Sequence, residues 1–137
     1  MPFRHDQPVL FRHCDPAGIV FYPRYFEMLN DTIEAWFADR LGWHWSGLHG
    51  PQDMSVPTVA VAVHFSAPSR HGDGLVFALS VTKVGRTSVG LSIVARCGEE
   101  VRLSATQTLV CIAKETGRPV VWPDDVRRKL EREAADA

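Results

Sequence analysis

The chain has 137 residues, 15 Lys+Arg against 16 Asp+Glu for a formal net charge of −1, and an apolar fraction of 45%, which suits one compact domain spanning residues 1–137. Near-neutral charge excludes a surface that is one continuous trap for nucleic acid or anionic lipid, so any anionic ligand has to be held by locally placed groups. Cys14, Cys97 and Cys111 are odd in number and lack C-x-x-C spacing, and charges near the N-terminus with no apolar run approaching about 18 residues complete the expectation of a cytoplasmic protein with reduced thiols and no membrane partner.

Val9 to His13 is a short apolar stretch ahead of the turn-rich Asp15-Pro16-Ala17-Gly18, and predicts a first strand followed by a loop. Pro23 suits the first position of a helix and Gly42 the position just past its end. Between them Tyr25, Phe26, Leu29, Ile33, Trp36, Phe37 and Leu41 recur along one face, while Glu27, Asp31, Glu34 and Asp39 mark a wet one. From Pro57 the period changes to two. Val59, Val61, Val63 and Phe65 alternate with Ala60, Ala62, His64 and Ser66, and the pattern returns over Leu75–Val81, Val89–Ala95 and Val101 to about Ala113. Compact connectors at Ser69–Gly74, Val84–Arg86 and Gly98–Glu100 make the last three strands an antiparallel meander. Asp124 is expected to cap a final helix, Asp125 to about Ala134. One strand, a long helix, then four long strands is an α+β order. A helix of about 19 residues spans roughly 28 Å and strands of about 9 to 11 residues roughly 30 to 36 Å, so one helix can lie along a curved sheet and be wrapped by it.

Cys14 to Tyr25 carries the chemistry. Pro16 biases Asp15 toward an extended conformation, and Gly18 permits a backbone turn or a close approach, so the loop can fold back until Asp15 faces the helix start. Pro23 has no N–H, which leaves Tyr22 and then Arg24 or Tyr25 as backbone donors for an oxyanion. Spacing alone favours a plainer alternative, in which Asp15 begins a tight turn and Pro23 merely starts a helix.

Asp15-Pro16-Ala17-Gly18-Ile19-Val20-Phe21-Tyr22-Pro23 resembles the signature of the 4-hydroxybenzoyl-CoA thioesterase family: Asp-Pro-Ala-Gly-Ile-Val, an aromatic pair and a Pro at the entrance to the central helix. The likeness extends in element order over about residues 7 to 115, including Val56-Pro57 and Gly72-Asp73-Gly74-Leu75. It implies a hotdog fold, a long central helix wrapped by a curved antiparallel five-stranded sheet. It also implies acyl-CoA hydrolysis, with Asp15 as nucleophile or general base and the Tyr22 N–H polarising the thioester carbonyl. Gly18, Tyr25 and Asn30 become candidate substrate-binding residues. Coenzyme A enters as part of the substrate, with no separate cofactor. Two sheets are expected to join edge to edge as a homodimer with sites at the interface, commonly paired again into a homotetramer.

Two positions depart from the family. The 4-hydroxybenzoyl enzyme has an acid after a helical Leu, near the substrate phenol, where this chain has Leu29-Asn30. An aromatic, benzoyl- or hydroxybenzoyl-like acyl group is favoured, with short aliphatic acyl groups open. That enzyme's clustered basic hairpin is here spread as Lys83, Arg86, Thr87 and Ser88 around Gly85. Lys83, Arg86 and Ser88 are the candidate CoA-binding residues, and an ordinary charged turn fits them equally. The rivals are hydrolysis on acyl carrier protein and a non-catalytic acyl-CoA-binding module; an unpaired carboxylate beside a thioester speaks against the module.

Other residues weigh less. His5, His13, Cys14 and Asp15 lack metal spacing, and adjacent strand residues face opposite ways, so neither a metal site nor a cysteine nucleophile is read from them. His64 reads as a structural histidine, Trp36 as core, and Trp43 and Trp45 as either core or acyl-pocket wall. Arg127, Arg128, Lys129 and Arg132 alternate with acids as a solvated helix does, so no nucleic-acid partner is expected.

Overall fold

The structure, a computed structural model, describes residues 1–45 and 53–136. Strand β1 is Phe3–Pro8, a single 3-10 turn covers Phe11–His13, and helix α1 is Pro23–Leu41. Then come β2 (Met54–Ser55), β3 (Thr58–Phe65), β4 (Gly74–Val84), β5 (Ser88–Cys97), β6 (Glu100–Val110), β7 (Ile112–Ala113) and helix α2 (Asp124–Ala135). Five strands form one antiparallel sheet in the order β1-β4-β5-β6-β3, and β2 pairs with β7 beside it.

The period-two runs of β4, β5 and β6 bury the residues they were expected to bury, whereas the Val59–Phe65 run of β3, at the sheet edge, does not. Leu75, Phe77, Leu79 and Val81 on β4, Val89, Leu91, Ile93 and Ala95 on β5, and Leu103, Ala105 and Leu109 on β6 face one core. Leu29, Ile33, Trp36, Phe37 and Leu41 of α1 close it. Gly42 ends the helix with φ at +65°, and its amide donates to the Phe37 carbonyl, the left-handed cap that a glycine adopts without strain.

Four expectations are corrected. The first strand is Phe3–Pro8, in register with β4 from Phe3↔Leu79 to Pro8↔Gly74, rather than Val9–His13. β1 lies at the sheet edge, where Arg4 and Asp6 stay in water and alternation alone suffices, so it shows no apolar run. Phe26 is exposed and Met28 and Thr32 are buried in its stead, because the buried stripe runs over their side of the helix. The run expected to reach Ala113 breaks after Val110, where the Cys111 amide donates to the Thr87 carbonyl at 2.7 Å and the chain leaves the sheet. Asp124 lies within the first turn of α2, behind Pro123, and makes no side-chain cap; it acts instead as a negative charge at the helix N-terminus.

Helix α2 is also less solvated than its sequence reads. Val126 and Leu130 are buried, Arg127 Nη2 donates to the carbonyls of Gly85 and Arg86 at 2.9 Å each, and Lys129 Nζ donates to the last α1 carbonyl, Leu41, at 3.2 Å. At the other edge of the sheet, β3 is the most open strand. Val59, Val61 and Phe65 are 60%, 42% and 42% exposed.

Candidate active site

Asp15 lies on a short hairpin that joins the 3-10 turn to α1. Its amide donates to the Ile19 carbonyl at 3.0 Å, Cys14 bridges Val20, and the Phe21 amide donates to the His13 carbonyl at 2.9 Å. Gly18 closes the tip with φ at +79°, and a Cβ there would touch nothing; the glycine is required by the turn, not by a close approach. The plainer reading of Asp15 is therefore true in part. Its Oδ1 accepts the Ala17 amide at 2.9 Å and shapes the turn. Its Oδ2 has no hydrogen-bond partner among the described residues, and the side chain is half-buried.

The helix start sharpens the choice of donor. The Arg24 amide donates to the Phe21 carbonyl at 2.9 Å and the Tyr25 amide to the Tyr22 carbonyl at 3.1 Å, so neither is free for an oxyanion. Phe21 is used by His13, and Pro23 has no N–H. Of the amides from Phe21 to Tyr25, that of Tyr22 is the one left without an acceptor among the described residues, at the positive end of a 19-residue helix. An open carboxylate oxygen and an open amide thus lie at the tip and the base of one hairpin.

Around this corner the surface is aromatic. The Tyr22 ring, 60% exposed, meets Phe21 edge-on at 5.6 Å and Phe65 at 6.3 Å, and the Tyr25 ring lies 5.5 Å from Phe65. Tyr25 is itself buried, so it supports Phe65 rather than opening to solvent.

Farther along α1, Asn30 lines a cavity of about 310 Å³ with Ile33, Trp43, Trp45, Met54 and Thr58 among its walls. Trp43 and Trp45 are thereby wall residues, while Trp36 is fully buried core. Asp15 is not among the cavity's lining residues. Thr58 went unread in the sequence, as did Gln107, whose Nε2 donates to Thr58 Oγ1 at 2.8 Å. A polar side chain in mid-strand has no period to announce it; only the inward position opposite Val61 does.

The candidate CoA residues are not beside Asp15 in one chain. The hairpin leans on the segment ahead of β4 through the Ile19–Arg70 bridge, whereas Lys83, Arg86 and Ser88 lie at the other end of the 11-residue strand β4, roughly 33 Å away at the usual rise. Lys83 and Arg86 are exposed there. Ser88 belongs to the turn itself: its carbonyl accepts the Gly85 amide at 2.8 Å and Trp122 Nε1 at 3.1 Å. His64 is exposed on the outer sheet face, beside Ser92, Ser104 and Thr106. No cluster of three or more metal-ligating side chains occurs among the described residues, and no described helix is long and apolar enough to cross a membrane.

A family model described as the Thioesterase-like superfamily matches residues 9–130. Two curated relatives are both named 1,4-dihydroxy-2-naphthoyl-CoA hydrolase. The one from Synechocystis sp. is 26% identical over 83 residues, 59% of this chain and 58% of that protein, so the chain spans little more than half of that relative. The one from Nostoc punctiforme is 23% identical over 137 residues, 100% of this chain and 92% of that protein. Among solved structures, a gentisyl-coenzyme A thioesterase superposes with a TM-score of 0.82 at 24% identity, covering 91% of this chain and 99% of the other.

Proposed function

The chain belongs to the thioesterase-like superfamily, a hotdog-fold family of thioester hydrolases, and from that premise we propose that it hydrolyses an acyl-CoA whose acyl group is aromatic. The observation that carries the reading is the pairing of one open carboxylate oxygen on Asp15 with one open amide on Tyr22. Aromatic substrates are supported by the names of the relatives, which act on naphthoyl-CoA and gentisyl-CoA, and by the indole-walled cavity beside Asn30.

A thioester is already activated, because thiolate is a good leaving group, so one carboxylate and an oxyanion donor suffice without a full triad. Attack at the carbonyl carbon moves its electron pair onto oxygen, where the Tyr22 N–H stabilises the developing charge. In one course Asp15 takes a proton from the attacking water; in the other it attacks and the resulting anhydride is hydrolysed. Both end with the free acid and CoA thiol. Lys83 and Arg86 anchor the CoA phosphates from a second copy of the chain. The open β3 edge, lined by Val59, Val61 and Phe65, is the face on which that copy sits. Antiparallel pairing of two β3 edges sets the end of one strand against the start of the other, which carries the second copy's β4–β5 turn toward this hairpin.

Thiol release from benzoyl-, hydroxybenzoyl-, phenylacetyl-, naphthoyl- and aliphatic-CoA tests the reading, with Asp15→Asn alongside. The expected result is aryl preference in the wild type and a kcat lower by about two to four orders of magnitude in the variant, with ester binding kept. An Asn variant as fast as wild type overturns the mechanism, and faster turnover of aliphatic esters overturns the substrate class.

A further inference from the structure

The turn between β3 and β4 is held by one guanidinium and one carboxylate. Arg102, on β6, donates from Nη1 to Asp73 Oδ2 at 2.7 Å, Ser69 Oγ at 3.0 Å and the Pro68 carbonyl at 3.1 Å, and from Nε to Glu100 at 2.6 Å. Asp73 Oδ2 also accepts the Arg70 amide at 2.9 Å. These are not the loose ends of a surface pair, because the Arg102 side chain is only 12% exposed and Ser69 is fully buried. The Arg102 hydrogen bond and the Arg70 amide hold the Asp73 carboxyl below the usual carboxylate range.

What this turn touches is the hairpin that carries Asp15. The Ser69 carbonyl accepts the Val20 amide at 2.9 Å, and Arg70 bridges Ile19. On the approach side, Val9 donates to the Asp73 carbonyl at 2.8 Å and accepts the Gly72 amide at 3.0 Å. Both limbs leading to Asp15 therefore rest on residues 69–73, and those residues take their shape from Arg102 and Asp73. Neither side chain is placed in the catalytic corner or the cavity.

We infer that Arg102 and Asp73 are positioning residues for catalysis, a clamp that fixes the Asp15 hairpin against the sheet. The inference rests on Asp15 being the reacting carboxylate. A misplacement of about 1 Å costs about 100-fold in rate, so loosening the clamp should fall on kcat more than on KM.

Three variants test it: Asp73→Asn, which keeps size and an acceptor for Arg70; Arg102→Gln; and Arg102→Lys, which keeps the charge but not the fork. The expected result for Asp73→Asn and Arg102→Gln is a kcat lower by about 10- to 100-fold with KM within about twofold, and partial recovery in Arg102→Lys. Adding Arg102→Gln to Asp15→Asn should lower the residual rate no further, since no carboxylate is left to position. In hydrogen exchange the Val20 and Val9 amides should speed up while β5 amides do not. A kcat within twofold of wild type, an additive double variant, or uniformly faster exchange overturns the inference. If the wild type proves inactive on every ester, the proposed function fails by itself, and selective exchange at Val20 still decides whether the clamp holds the hairpin.

Discussion

His13 lies under the Asp15 hairpin, 3% exposed, with Nδ1 accepting the Leu10 amide at 2.8 Å and its carbonyl accepting the Phe21 amide. The acceptor role requires the neutral ring. Burial first, and then the Arg12 charge, push its pKa below the ordinary 6.5. The unfolded chain therefore takes up the proton at a higher pH than the folded one, so the stability His13 contributes is present above about pH 6.5 and is lost as pH falls through the depressed value. Urea unfolding of wild type should show falling stability from about pH 7 to pH 5, and His13→Gln, which keeps a neutral acceptor, should flatten that slope; an unchanged slope would place the titration elsewhere. Cys111 shows burial acting the other way, with its thiol pushed up to about 11 by desolvation, so it should stay unmodified by thiol reagents in native protein and react once the chain unfolds. At this scale the turn at Asp15 and Gly18 and the helix start behind Tyr22 were legible, because chain-local features mark them: a proline that fixes a neighbour, a glycine at a tip, a helix start. Which amide stays free was not legible. That depended on the carbonyls of His13, Phe21 and Tyr22 taking the other donors.

Long periodic elements were read to within about three residues, since α1 and the inner faces of β4, β5 and β6 bury one side each and the period records it. β1 was misread for the converse reason: half its residues face water and its bonding partner lies about 70 residues away in sequence. Helix α2 shows how a polar element is held without a large apolar stripe. Glu133 accepts Trp36 Nε1 at 2.9 Å and pairs with Arg40 Nη1 at 3.0 Å and 3.1 Å, tying α2 to the buried indole of α1. Glu133→Ala should cost about 1–3 kcal/mol, because the Trp36 N–H is left buried without an acceptor, and Glu133→Gln should cost less by keeping one. Equilibrium urea denaturation of the two variants checks the order; equal losses would show that the Arg40 pair carries the effect.

For the whole molecule, the Asp15 hairpin and the candidate CoA residues Lys83 and Arg86 lie toward opposite ends of β4, and in the proposed dimer a second copy paired at β3 brings them together. Phe65→Asp, which sets a charge on that edge, should shift the protein to monomer in sedimentation and abolish turnover while leaving the fold intact by circular dichroism. Complementation gives an independent reading. Asp15→Asn and the double variant Lys83→Ala/Arg86→Ala, each weak alone at low substrate, should regain activity when mixed and allowed to exchange subunits, because each hybrid dimer then has one intact site. Activity that stays at the sum of the two parents would put both functions in a single chain.

The sequence by itself determined the class of fold, the length and buried face of the central helix, and the loop that carries the carboxylate, because each of these is written in neighbours a few residues apart. Tertiary structure decided which amide remains open, that Asn30 shares a cavity with Trp43 and Trp45, and that Arg102 and Asp73 shape the turn on which the Asp15 hairpin rests. The cavity and the brace depend on groups about 13 or more residues apart meeting through sheet register and helix packing, and the open amide on how the carbonyls of the loop share out its donors, which no local period records.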